Sequence, residues 1–321
     1  MDFQSFIDSI AAVKSLGITA PCPPDGDSVG AQCALKELIE QLHPHVKVEI
    51  INEDPCPKRY EFLKLSDQFK QSKDIKESPE AWLCVDGGPL RSGVETKKLW
   101  DKAKIHGLMD HHVVGSKESF HFQLYDPTAA ATTEMVYKLA MHCKAKLTPS
   151  LAQAIYVGLI YDTGLFKHSN TTPEIMRIGA HLLEVGFNHT ETAEKAMLIR
   201  SKGSLDLLRL MLNKFNHSDK ISWSAITHAE FIESGATGED KDGLIDVLFL
   251  QDKCSVAVLF FEAKPSLWKL SFRSRGPDVA SFARSLNPQG GGHKLASGCT
   301  LEGDMKTITD KTISSLSKVV S

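Results

Sequence analysis

The chain has 321 residues, 42% of them hydrophobic and 24% charged, with a formal net charge of -3. That length suffices for two domains that each bury a core, and the composition is that of a globular protein. The slightly acidic balance supplies no global field for long duplex nucleic acid, and no apolar run reaches membrane-spanning length.

The opening stretch, MDFQSFIDSIAAVKSLG, is acidic and amphipathic, unlike a signal peptide. Short apolar runs then predict strands at 17–20, 46–51, 81–86, 103–110 and 120–126, with amphipathic helices at 28–42 and 91–103 between them. Strand–helix alternation predicts an α/β fold with a mostly parallel sheet and helices on both faces. Reactive residues belong outside the carboxyl ends of such strands. Helical periodicity follows at 132–143, 150–162, 172–186 and 204–215. Strand-like alternation at 220–226, 254–263 and 267–274 is followed by helices at 277–286 and 304–320. The expected organisation is a first domain over 1–195, a helical linker over 196–215 and a smaller mixed α/β domain over 216–321. The seven cysteines are scattered and never spaced as CxxC, which fits a reducing cytoplasm better than a disulfide framework or structural zinc.

Four acidic or imidazole groups stand where the first half predicts the ends of apolar runs, taken as strand ends. Asp25 and Asp27 flank a glycine in PPDGDSVG, Asp86 closes LCVDGG, Asp110-His111-His112 follows an apolar run, and Asp162 closes GLIYD. Each alone has an ordinary reading, since an aspartate after a strand is usually a cap or turn residue. Together they offer hard oxygen and borderline nitrogen ligands, a set suited to Mn²⁺ or Mg²⁺. Two such ions serve displacement at phosphorus. Farther on, NPQGGGHKLASGC places three glycines before His293 and Lys294, and Arg273 and Ser274 sit at a predicted strand end. From Val256 to Gly298 basic residues outnumber acidic ones six to two. The glycine run alone reads as a flexible loop, but with those cations beside it anion binding is the better reading.

In order and approximate spacing, DGDSVG, VDGG, MDHH, YDTGLF and GGGHKLASG resemble the motifs of the DHH phosphoesterases with a DHH-associated C-terminal domain. That group includes nano-RNases that are also phosphatases of 3′-phosphoadenosine 5′-phosphate, and phosphodiesterases of linear and cyclic dinucleotides. The resemblance implies a cytoplasmic hydrolase with two Mn²⁺ ions, or Mg²⁺ in their place. It implies that Asp86 bridges them, Asp25 binds the first, and Asp27, His111 and Asp162 bind the second. Asp110 would orient the cluster and His112 would contact the scissile phosphate. Arg273, Ser274, Gly290, Gly291, Gly292 and His293 would hold the rest of a short nucleotide. Relatives commonly form a homodimer through the first domain. One position departs from the pattern: Pro21 stands where the family places a metal-binding histidine. Substrate phosphate and water could complete that first site, or the site is degenerate, or the proline is an engineered change. Two alternatives therefore stay open: a nucleotide-binding protein with impaired catalysis, and a pyrophosphatase or polyphosphatase.

Overall fold

Six parallel strands form the first sheet of the computed structural model, which describes residues 2–112 and 119–320. They are β1 (Ser15–Thr19), β2 (Lys47–Asn52), β3 (Phe69–Gln71), β4 (Ala81–Val85), β5 (Ile105–Asp110) and β6 (Phe122–Tyr125), in the spatial order β3-β2-β1-β4-β5-β6. The helices of this unit are α1 (Phe3–Ala11), α2 (Gly26–Leu42), α3 (Val94–Trp100), α4 (Thr132–His142), α5 (Pro149–Asp162), α6 (Pro173–Glu184) and α7 (His189–Ala193). Both faces of the sheet are covered, which is why AWLCV reads as an unbroken apolar run. Ala81, Leu83 and Val85 join the large core under α1, α2 and α4 to α6, while Trp82 and Cys84 face the other way toward Trp100 of α3.

Two local features needed distant partners and lay beyond the periodic signal. Strand β3 is only three residues long and owes its conformation to pairing with β2. Helix α3 begins later than the periodicity suggests, after Gly93 at φ 99°, and its first-turn amides are met by Glu53.

This first unit runs to Ile199, and a second begins at Arg200. The second contains α8 (Lys202–Asn213), β7 (Asn216–Ser218), β8 (Ile221–Ile226), α9 (His228–Glu233), α10 (Leu244–Leu248), β9 (Val256–Lys264), β10 (Leu267–Ser274), α11 (Val279–Leu286), β11 (Gly291–His293), β12 (Ala296–Glu302) and α12 (Met305–Val320). Its sheet has the order β11-β12-β10-β9-β8-β7 and is antiparallel except between β8 and β9. The stretch expected as a connector is α8, whose Leu207 and Met211 pack with Ala257, Leu259 and Phe261. Strand β10 alternates strictly: Trp268, Leu270 and Phe272 enter the core with α11 and α12, and Lys269, Ser271 and Arg273 take the opposite face. Among the described residues, no helix is long and apolar enough to cross a membrane.

Candidate active site

The order of the first sheet reverses between β1 and β4, and a crevice outside the carboxyl ends of two such strands is where open α/β sheets bind ligands. The loop after β1 delivers Asp25 and Asp27 there. Asp25 caps α2, its Oδ1 accepting from the amides of Asp27 at 3.1 Å and Ser28 at 3.0 Å. Asp86 follows β4 directly, in the left-handed region at φ 59°, with its N–H donating to the Met109 carbonyl at 2.9 Å. An aspartate tolerates that region better than most residues, though at a cost in backbone strain. Its carboxylate accepts from the Ser28 hydroxyl at 2.6 Å and the Thr132 hydroxyl at 3.2 Å.

Asp27 is fully buried and holds the start of α4 from across the site. Its oxygens accept from the amides of Thr132 at 2.6 Å and Thr133 at 3.0 Å, and from the Thr133 hydroxyl at 2.7 Å. Helix α4 has no side-chain cap of its own, so this carboxylate both satisfies orphan donors and meets the positive end of the helix dipole. The approach requires Gly158: a Cβ there would lie 2.4 Å from Asp27 Oδ1. Asp162 closes helix α5, as the helical period over 150–162 predicts, and so does not belong with the strand ends. A helix buried all round carries the same continuous apolar signal as a buried strand. Gly164, Leu165 and Phe166 then form a left-handed turn, and the Asp162 carbonyl accepts from His168 Nδ1 at 3.0 Å.

His111 and His112 are held in different ways. His111 Nδ1 contacts the Ala129 carbonyl at 3.1 Å. A carbonyl only accepts, so Nδ1 carries a proton, and the Nε2 lone pair would face the cluster once a bound cation displaced the Nε2 proton. That Nε2 is buried without an aligned hydrogen bond, 3.1 Å from Asp162 Oδ2 and 3.5 Å from Asp86 Oδ1. His112 Nδ1 is 2.8 Å from Asp110 Oδ1 and 3.7 Å from Asp86 Oδ1.

The electrostatics follow from crowding. Burial pushes the Asp86 carboxyl well above its ordinary pKa, and repulsion from Asp25 and Asp27 adds to this. Burial and the Asp27 charge do the same to Asp162. Asp25 also shifts upward, mainly by burial. Burial disfavours the His111 imidazolium, yet Asp162 and Asp86 more than offset it and raise that pKa to about 12. Asp110 goes the other way: burial opposes its charge, but the His112 ring and amide hold its carboxyl below the usual range.

These residues fit a divalent cation. Carboxylates that repel one another, around a buried imidazole nitrogen without an aligned donor or acceptor, form a cage that favours positive charge. Ligand atoms of Asp27, His111 and Asp162 all lie within 4.8 Å of one another, and so do those of Asp86, His111 and His112. Asp25 belongs to neither set among the described residues. Pro21 packs near Gly87, its Cγ 2.9 Å from where a Cβ of that glycine would be, and offers no donor atom. The neighbouring Cys22 Sγ donates to Asp54 Oδ2 at 2.9 Å and joins neither set.

In the second unit Arg273 Nε donates to Asp246 Oδ1 at 3.0 Å. Ser274 requires a correction. One position along the strand from Arg273, it faces the core, only 5% exposed, and its hydroxyl donates to the Pro277 carbonyl at 2.7 Å. Strand parity turns it away from any ligand that Arg273 would meet. The glycine run is not a loose loop, for Gly291 to His293 form β11, paired with β12. Gly290 packs tightly, a Cβ there meeting the Ala283 carbonyl oxygen at 2.7 Å, and Gly292 lies at φ 131°. Ser28, Thr132 and Thr133, which hold the acidic groups, and Ala129, which holds His111, escaped the sequence reading. The one local signal was the Thr-Thr pair opening a helix.

Residues 16–159 match the model of the DHH family, N-terminal domain. The chain is 27% identical to the bifunctional oligoribonuclease and PAP phosphatase NrnA of Bacillus subtilis over 87% of this chain and 86% of that protein. It is 28% identical to the protein of that name from Thermus thermophilus, over 87% of this chain and 82% of the relative. An exopolyphosphatase-related protein from Bacteroides fragilis shares the fold, with a TM-score of 0.87, 20% identity and coverage of 98% and 96% of the two chains.

Proposed function

We propose, on the premise that this chain carries a DHH-family N-terminal domain over residues 16–159, that it is a metal-dependent phosphoesterase of short nucleotides. The substrates would be oligoribonucleotides of a few residues, linear or cyclic dinucleotides, and 3′-phosphoadenosine 5′-phosphate. The observation that carries this reading is the buried His111 Nε2 within a ring of carboxylates at the switch point of the sheet. The oligoribonuclease and PAP phosphatase activities for which the Bacillus and Thermus relatives are named support the substrate class.

In this reading Asp25, Asp27, Asp86, His111 and Asp162 would hold the metal, with Mn²⁺ favoured over Mg²⁺ by the imidazole ligand. Two bound cations supply charge to a water nucleophile and to the leaving oxygen. The chain's own contribution is order. Ser28 and Thr132 fix the Asp86 carboxylate, and Thr132 and Thr133 fix that of Asp27. Asp110 faces His112 Nδ1 and would aim the ring's Nε2 at a phosphate oxygen. Arg273, Gly291, Gly292 and His293 would receive the remainder of the nucleotide. Pro21 favours a second reading, a nucleotide-binding protein with slow turnover.

A hydrolysis panel separates these readings. With Mn²⁺, the chain should cleave di- to pentaribonucleotides and dephosphorylate 3′-phosphoadenosine 5′-phosphate, and should lose both activities in chelator. Binding of these nucleotides without turnover would support the second reading. Release of phosphate from pyrophosphate or polyphosphate alone would overturn both.

A further inference from the structure

The sheet of the second unit carries more cationic surface than the motif residues account for. Strand pairing sets Thr300 opposite Lys269 and Ala296 opposite Arg273, and β11 then places His293 opposite Ala296. Directly opposed residues share a face, so Lys269, Arg273 and His293 look out from the same side. Between them the floor is nearly bare: Gly291 and Gly298 are opposed, and a Cβ on Gly291 would meet nothing within 4 Å. Lys269 and Arg273 are four residues apart on one strand, about 13 Å at the usual rise.

A second lysine converges on the Lys269 end. Lys241 lies with its Nζ 4.7 Å from the centroid of the Phe261 ring, and Phe261 is the β9 residue paired with Lys269. The Phe231 ring, packed edge-on against Phe261, lies 5.7 Å from the same ammonium. Asp242 favours the Lys241 charge without pairing to it, and neither lysine forms an ion pair among the described residues. Burial, then repulsion from Lys269, lowers the Lys241 pKa. An ammonium held over an aromatic ring beside a second lysine, with no carboxylate paired to either among the described residues, is stabilised by an anion.

We infer that Lys241 and Lys269 form a second phosphate subsite, which holds a backbone phosphate of a single-stranded oligonucleotide that also places a more distant nucleotide at Arg273 and His293. Thr300, opposite Lys269, adds a hydroxyl donor. This rests on the reading that the second unit holds nucleotide. The subsite is too far from Arg273 for one dinucleotide to fill both, so it acts on chains of three or more nucleotides.

The test compares a dinucleotide and a pentanucleotide on the wild type, Lys269→Gln, Lys269→Arg and the double variant Lys241→Gln/Lys269→Gln. The pentanucleotide KM should rise about 5–10-fold in the double variant with kcat unchanged, and the dinucleotide KM should move less than about twofold. Lys269→Gln alone should show part of the effect, and Lys269→Arg little. Equal changes for both lengths, or none, would overturn the subsite. If no nucleotide is hydrolysed at all, the proposed function fails, but binding still tests the subsite. Fluorescence anisotropy with a labelled pentanucleotide should then give a salt-dependence slope shallower by about 1 in the double variant. An unchanged slope would overturn it.

Discussion

Asp110 holds His112 twice, accepting from its backbone amide at 3.0 Å and from its Nδ1 at 2.8 Å. The pair therefore fixes both the position of the ring and the atom that bears its proton. Asp110→Asn keeps the shape but replaces one charged acceptor facing the ring and amide of His112 with an amide. Turnover should fall about 10–100-fold, the range for loss of a partner behind a functional histidine, with a smaller change in KM. Steady-state kinetics on a dinucleotide reads the split, and an unchanged kcat would remove Asp110 from this role.

Gly158→Ala should damage metal binding without replacing a proposed ligand. The added methyl would lie 2.4 Å from Asp27 Oδ1 and equally close to Thr133, and helix backbone cannot easily yield. Calorimetric titration should show weakened Mn²⁺ binding, and urea unfolding should show a loss of about 1–3 kcal/mol.

Pro21→His restores an imidazole beside Gly87. Titration with Mn²⁺ should then show one of two binding events tightened about tenfold, with higher turnover at limiting metal. Identical isotherms would mean that this position faces no metal.

Cys22 should be a slow thiol despite its place near the cluster. Burial and the Asp54 carboxylate raise its pKa to about 12, so it stays protonated through the neutral and mildly alkaline range. Mass-spectrometric mapping after iodoacetamide treatment at pH 8.5 should find Cys22 largely unmodified. Asp54→Asn should speed its alkylation.

Glu53 offers a pH test away from the chemistry. Burial opposes its charge, but the amides of Thr96 and Glu95 overcome this and lower its pKa. A carboxyl lowered by folding stabilises the native state above its unfolded pKa, and that contribution disappears as pH falls through the folded value. Glu53→Gln should cost about 1 kcal/mol at pH 7, as for loss of a helix cap. The gap from wild type should close below about pH 4. Paired urea titrations at the two pH values measure it.

The sequence made the parallel sheet and most of the acidic cluster legible, because Asp25, Asp27, Asp86 and the Asp110–His112 run follow apolar strands in a strand–helix alternation. Asp162 was legible as a group and 150–162 as a helix, yet Asp162 was placed with the strand ends because it closes an apolar run. Ser28, Thr132 and Thr133 could not be found that way. Their contacts to Asp86 and Asp27 span 46 to 106 residues of sequence, and no local pattern encodes them. Ser274 was misread because adjacency in a strand means opposite faces, and Lys269 entered only as one of six basic residues because Lys241 reaches the paired Phe261 from another element.

The left-handed backbone at Asp86 closes that position to variation twice over. Chemistry asks for a carboxylate, and the main chain asks for a residue at ease with positive φ, so most replacements would lose fold and activity together. Asparagine alone keeps the shape and the backbone preference while deleting the charge. A saturation library at residue 86 should therefore sort into three classes: active aspartate, folded but silent asparagine and glycine, and poorly folded variants for nearly everything else.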